Sequence, residues 1–219
     1  MIQQITLGDF SLNSLKLPLK KELEDELMHF LESDSSSWAK GRRQEYIAGR
    51  ACACESLKQL LIFDFKILRK KNRAPIWPLN IIGSITHSKN EVFTVALEQG
   101  EYQGIGIDCE VLIDKKKFLS LSSHIATAID ISFLQNSQMD EKTVCTLIFS
   151  AKESLYKALN PIVDIFFGFE HASIVKINEA ESTFIIELNS TLESLKKFNK
   201  TYHGFYKISN NQILTLVTV

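Results

Sequence analysis

The chain has almost no net charge, few cysteines and no long apolar run, and each shortage removes a class of protein. Lys+Arg 25 against Asp+Glu 26 leaves a formal charge of −1, so no global field draws it onto nucleic acid or a membrane. No apolar stretch approaches the ~18–20 residues that span a bilayer. The opening MIQQITLGDF carries neither a basic segment nor a long apolar one, so a secretory signal is not expected. Cys52, Cys54, Cys109 and Cys145 lack CxxC spacing. They are too few for a disulfide scaffold of this size and read as reduced thiols of a cytoplasmic protein. No glycine loop of the P-loop type is present. No internal repeat or low-complexity linker stands out. What is left is 219 residues, 45% hydrophobic and 23% charged, enough for a globular protein with a sizeable core.

The near-zero charge conceals an asymmetry. All five arginines (Arg42, Arg43, Arg50, Arg69, Arg73) fall in residues 42–73. From Lys40 to Arg73 ten Lys/Arg face three Asp/Glu, a local balance of +7. A charge run can be simply a solvated helix face, but the planar arginine fork also suits phosphate or carboxylate.

Periodicity predicts a short amphipathic helix over Leu19–Leu31 and a longer one from about Trp38 to Ile62, with Ile47, Ala51, Cys54, Leu57 and Leu61 at helical spacing. Residues 72–80, with two prolines, read as a connection. Strand-like segments follow at Ile81–Thr86, Val92–Leu97 and Gly104–Val111. The second half reruns this order. A helix over Glu141–Asn160 is expected to stop before Pro161. Strands are expected at His171–Ile177, Thr183–Leu188, Gly204–Ile208 and Ile213–Val219. Residues 115–140 carry a lysine run and weak periodicity and receive no assignment. Helix then antiparallel strands, twice, predicts an α+β protein of two similar lobes, 1–104 and 105–219.

Three motifs could carry chemistry. In GIGIDCEV (104–111) a strand places Ile105, Ile107, Cys109 and Val111 on one face and Gly104, Gly106, Asp108 and Glu110 on the other. The two carboxylates can reach one hard cation such as Mg²⁺, with the glycines leaving room for a bulky ligand; the plainer reading is an exposed acidic pair. In FSAKESLYK (149–157), Val144, Ile148, Ala151, Leu155 and Ala158 form a core stripe, while Glu153 and Lys157 project oppositely with Phe149 on Glu153's flank. That pair is either a surface ion pair or a carboxylate and an ammonium dividing the work of phosphoryl transfer. In GSITHS (83–88), His87 with flanking hydroxyls could bind a phosphate or serve local hydrogen bonding. Trp77, in APIWP, reads as core.

Taken in order, GRRQEYIAGRACA (41–53), APIWP (74–78), GSITHS (83–88), GIGIDCE (104–110) and FSAKESLYKALNP (149–161) resemble the 4′-phosphopantetheinyl transferases of the surfactin-synthetase-activating class. The likeness is strongest to the branch tied to enterobactin-type siderophore synthesis. It covers about half the chain, and GIDxE followed by FSxKExxYK is specific in combination. Thr86 stands where many relatives have Ser, and residues 111–140 match nothing in the pattern. The resemblance implies a cytoplasmic monomer of two pseudo-symmetric lobes, each a helix on a small antiparallel sheet, with the active site in the cleft between them. It implies Mg²⁺-dependent transfer of 4′-phosphopantetheine from coenzyme A (CoA) to a serine of an apo acyl, peptidyl or aryl carrier protein. Siderophore or other nonribosomal peptide synthesis is the implied setting, and adenosine 3′,5′-bisphosphate the second product. By position, Asp108, Glu110 and Glu153 match the family's metal ligands, Glu153 also its proposed base, and Lys157 the lysine on the pyrophosphate, with Lys152 beside it. His87, Arg43, Arg50 and Arg73 would hold CoA phosphates, though Arg50, next to Gly49, also has a purely structural reading. The alternative from another class is a non-catalytic module that binds an anionic partner through residues 40–73.

Overall fold

Polar residues buried inside a strand set the first sheet apart from its sequence pattern. The computed structural model describes residues 1–189 and 192–219, which divide into two compact units, Met1–Gln99 and Gly100–Val219. In the first unit β1 (Gln3–Leu7) and β2 (Phe10–Lys16) form a hairpin, followed by α1 (Lys21–Leu27), α2 (Lys40–Gln59), β3 (Ile81–Ser88) and β4 (Glu91–Glu98). The antiparallel sheet runs β1-β2-β4-β3. Periodicity gave no expectation for β1 and β2. In β2 Asn13 and Ser14 are buried beside Leu12 and Leu15, so the alternation of apolar and polar residues is lost. The Asn13 amide donates to Ser56 Oγ at 2.9 Å, which makes its burial tolerable.

Helix α2 lies on this sheet through small residues. Ala48, Ala51, Cys52 and Ala53 are buried with Ile47 and Leu57, and a Cβ on Gly49 would press on Ile85 of β3. The helix ends earlier than its periodicity predicts. Leu61 is 79% exposed in a left-handed conformation with φ 60°, and Cys54 is only half-buried. Trp77 packs flat against Gly83, where any Cβ would overlap its ring. It serves the core as expected.

The second unit comprises β5 (Ile105–Val111), α3 (Lys115–Ile125), α4 (Ala128–Asn136), α5 (Glu141–Val163), β6 (Ala172–Asn178), β7 (Thr183–Leu188), β8 (Thr201–Ser209) and β9 (Gln212–Thr218). Its antiparallel sheet runs β5-β9-β8-β7-β6. The protein is therefore α+β with two antiparallel sheets. The unassigned stretch 115–140 holds two helices, whose start signals are side-chain caps: Asp114 accepts from Lys116 N, and Thr127 forms a capping box with Asp130. The core stripe of α5 is as predicted, with Val144, Ile148, Ala151, Leu155 and Ala158 fully buried. Each larger member contributes ~1.5–3 kcal/mol by burial. Pro161 does not stop this helix. It lies in the last turn, where its missing N–H forfeits one bond, and the chain leaves only at Asp164, whose N–H donates to Asn160 O at 2.9 Å. Among the described residues no helix is long and apolar enough to cross a membrane.

Candidate active site

The alternation of β5 places its carboxylates. Ile105, Ile107 and Cys109 are buried on one face, and Val111, at the strand end, is exposed. The other face lies directly on α5. A Cβ at Gly106 would overlap the Ser154 carbonyl oxygen and Ala158 N, and one at Gly104 the Ala158 carbonyl. The glycines expected to make room for a ligand instead admit a helix. Because side chains two residues apart share a face, Asp108 follows Gly106 toward α5 and meets Lys157, whose ammonium donates to its Oδ1 at 2.6 Å. Asp108 is 4% exposed; Glu110, Glu153 and Lys157 are half-buried.

Electrostatics joins these four residues into one site. Burial is the main cause that pushes the Glu110 carboxyl up to about 7, followed by the charge on Asp108, with Lys157 opposing and Glu153 adding to it. Burial also raises Glu153, again with Lys157 opposing and Asp108 contributing. Among the described residues no three His, Cys, Asp or Glu side chains are close enough to hold a metal ion as they stand. The donor set nonetheless fits a hard dication: three carboxylates, with burial and neighbouring charge disfavouring ionisation of Glu110 and Glu153, and the Lys157 ammonium beside them. All four are among the residues that the sequence motifs single out.

Two other candidates lie elsewhere. Lys152, which the resemblance puts beside Lys157 among the CoA-binding residues, is 2% exposed. Its ammonium donates to the Asp130 carboxylate at 2.5 Å and to the carbonyls of Ile125 and Phe169 at 2.9 and 3.0 Å. An ammonium has three hydrogens, so all are committed and none is left for a phosphate. Arg50, expected on a CoA phosphate, is 6% exposed, its guanidinium over the Tyr46 ring at 4.4 Å. Tyr46 donates to Glu32, which also accepts from Arg69 Nε at 2.7 Å. Burial disfavours the Glu32 charge, but these donors and the nearby Arg50 hold its carboxyl below the usual range. Arg50 belongs to that interior cluster.

The remaining first-unit candidates are more open. His87 is exposed at the end of β3, while its neighbours Thr86 and Ser88 are buried. Arg42 Nη1 donates to His87 Nε2 at 3.1 Å, and Glu45 stands 3.6 Å from the same nitrogen. Arg43 is half-buried on α2. Arg73 is exposed in a tight loop with φ 71°, closed by Lys70 N donating to Ala74 O at 2.8 Å.

These segments coincide with two family matches. Residues 32–97 match the 4′-phosphopantetheinyl transferase N-terminal domain, and residues 104–217 match the 4′-phosphopantetheinyl transferase superfamily. The chain belongs to the 4′-phosphopantetheinyl transferase superfamily. It is 29% identical to enterobactin synthase component D of Salmonella typhimurium over 182 residues, covering 81% of this chain and 72% of that protein. It is 31% identical to the Salmonella typhi protein of the same name over 137 residues, covering 63% of this chain and 56% of that one. A third relative, 4′-phosphopantetheinyl transferase PptT of Mycobacterium tuberculosis, is 30% identical over 138 residues, 61% of this chain and 58% of its own length. The match with the Salmonella typhi protein thus spans little more than half that protein's length.

Sequence reasoning missed a cavity beside Glu153. Glu153 and Tyr156 line a cavity of about 390 Å³ with His124 from the end of α3 and Phe166, Phe167 and Phe169 from the segment after α5. Tyr156 packs against Phe167 with ring centroids 5.0 Å apart, and Phe149 against Phe169 at 5.5 Å. Phe166 is 82% exposed. The available signal was the aromatic run IFFGF just beyond α5. The thiols take no part in this site: Cys52, Cys109 and Cys145 are buried. Burial first of all pushes Cys52 up to about 12 and Cys145 up to about 11, which leaves them inert at neutral pH.

The carboxylate cluster predicts a pH dependence. Glu110 is raised in the folded chain from 4.5 to about 7. The native state therefore binds its proton more tightly than the unfolded one. The resulting stabilisation is complete below about pH 4.5 and is lost as pH rises through about 7. In metal-free buffer Tm should fall as pH is raised from about 5 to about 8, and Glu110→Gln should flatten that slope. Parallel slopes for the two proteins would refute the assignment.

Proposed function

We propose that this chain transfers 4′-phosphopantetheine from CoA to a serine hydroxyl of an apo acyl, peptidyl or aryl carrier protein. The observation that carries the reading is the electrostatic coupling of Glu110 and Glu153 to Asp108 and to Lys157, which donates to Asp108, in a chain of this superfamily. The serine oxygen forms the new bond to the phosphorus that carries pantetheine. The pyrophosphate P–O bond breaks, and adenosine 3′,5′-bisphosphate leaves with the electron pair.

Asp108, Glu110 and Glu153 would hold Mg²⁺. Bound there, the ion supplies charge neutralisation across the pyrophosphate. Lys157 is placed to exchange part of its pairing with Asp108 for a phosphate oxygen. Glu153 accepts the serine proton, a task helped by burial, which raises its basicity. The cavity beside Glu153, whose aromatic walls also carry the polar groups of His124 and Glu170, suits the pantetheine arm, with apolar surface for its chain and hydrogen-bonding partners for its amides. In the first unit, Arg43 and Arg73 of the +7 segment would hold the CoA phosphates, with His87 beside Arg42 as a further contact.

Similarity to the enterobactin synthase component D proteins favours a carrier of siderophore or other nonribosomal peptide synthesis. We place the enzyme in the cytoplasm, as a monomer, where CoA and apo carriers meet. Incubation with CoA, Mg²⁺ and a panel of apo carrier domains, read by intact mass, tests the proposal. The expected result is a mass gain equal to phosphopantetheine on at least one carrier. Binding of CoA without transfer to any carrier overturns it and supports a catalytically inactive member of the superfamily.

A further inference from the structure

We propose that Lys152 is a positioning residue that holds the walls of the cavity beside Glu153 together, and so sets the enzyme's preference for a CoA bearing its pantetheine arm. The inference rests on the reading that the arm lies in that cavity.

The argument starts from where the three hydrogens of the ammonium go. One is on Ile125 O, the last residue of α3, next to His124; one is on Phe169 O, in the aromatic segment; one is on the Asp130 carboxylate. Lys152 itself sits on α5 immediately before Glu153. The cavity is walled by those same pieces: Glu153 and Tyr156 from α5, His124 from α3, and Phe166, Phe167 and Phe169. One buried head group thus ties α5, through the Lys152 side chain, to backbone carbonyls of the other two walls.

Asp130 fixes this head group in turn. Its Oδ2 accepts from Thr127 N at 2.8 Å and Thr127 Oγ1 at 2.9 Å, and its Oδ1 accepts from Ile174 N at 2.9 Å. The carboxylate is therefore anchored to the start of α4 and to β6, and the ammonium has one place to stand. The ion pair is 1% and 0% exposed on its two side chains. A buried ion pair is a poor source of stability compared with apolar packing. Its use here is better explained by the precision of three directed bonds, which add direction to the apolar packing of Ile125 and Phe167 in the same core. Methionine would fill the volume and hold neither carbonyl.

The test compares CoA with adenosine 3′-phosphate 5′-diphosphate, which keeps both pyrophosphate phosphates and the 3′-phosphate but lacks the arm. Binding of each is measured by calorimetry, with Tm in parallel, for wild type, the double variant Lys152→Gln/Asp130→Asn, and Asp130→Asn alone. The double variant avoids leaving one buried charge alone. Wild type should bind CoA more tightly than the armless probe. The double variant should lose about tenfold in affinity for CoA while the probe stays within about twofold. Asp130→Asn, which leaves the lysine on the two carbonyls, should lose Tm yet keep most of the preference.

Equal weakening of both ligands would mean that Lys152 acts on phosphate or on the fold at large, and would overturn the proposal. So would an unchanged preference in the double variant. A wild type that binds both ligands alike would refute the cavity reading itself, independently of any variant. If the double variant does not fold, Lys152→Arg keeps the question open to refutation. Its longer planar head cannot hold both carbonyls in the same place, so a full preference retained there would equally count against the role.

Discussion

Glu153→Gln should lower the single-turnover rate of transfer by about 10²–10⁴-fold while CoA still binds in the presence of Mg²⁺. Gln keeps the length and one oxygen of the side chain but removes its charge and nearly all of its basicity. The wild-type rate should rise with pH as Glu153 ionises, over a range shifted upward because burial raises this carboxyl. The variant should lose that limb. Asp108→Asn makes a useful contrast. Asp108 holds Lys157 at 2.6 Å and is assigned to the metal alone, so its loss should weaken CoA binding and be partly recovered at higher Mg²⁺. Paired calorimetry and single-turnover rates separate these outcomes. Transfer at near wild-type rate by Glu153→Gln would remove both the base and the metal role, and with them α5 as the catalytic element.

Gly106→Val should destabilise the second unit by about 1–3 kcal/mol or more, because overpacking against backbone has no side chain to move aside. The added atoms would meet the Ser154 carbonyl and Ala158 N of α5, neither of which can shift without moving the helix. The same displacement would carry Glu153 and Lys157 away from Asp108 and Glu110, so activity per folded molecule should fall too. Denaturant unfolding of Gly106→Ala and Gly106→Val gives a graded series. An unchanged midpoint with weakened CoA binding would show that the glycine does make room for a ligand after all.

Much of the site was legible because its chemistry is local. Asp108 and Glu110 share a face through the two-residue repeat of a strand, and Glu153 and Lys157 share one through the four-residue spacing of a helix. Those relations survive any arrangement of the elements. The α5 stripe and most strands of the second sheet were readable for the same reason, as was the burial of Cys109 and Cys145. β1 and β2 were not, since Asn13 and Ser14 take core positions that a pattern reader assigns to solvent. The end of α5 was misjudged because a proline in a last turn forfeits a single bond and leaves the helix intact.

The sequence by itself determined the family, the α+β class and the carboxylate–lysine constellation, each being written in neighbours along the chain. The tertiary structure alone decided which of two adjacent residues is sealed into the interior. Lys152 and Glu153 stand about 100° apart on one helix, and only packing shows that the first is sealed onto Asp130, Ile125 and Phe169. It alone decided that Gly106 admits a helix and that Arg50 serves Glu32 and Tyr46. Burial and partner choice depend on segments far apart in the chain, and their free energies appear only once those segments meet.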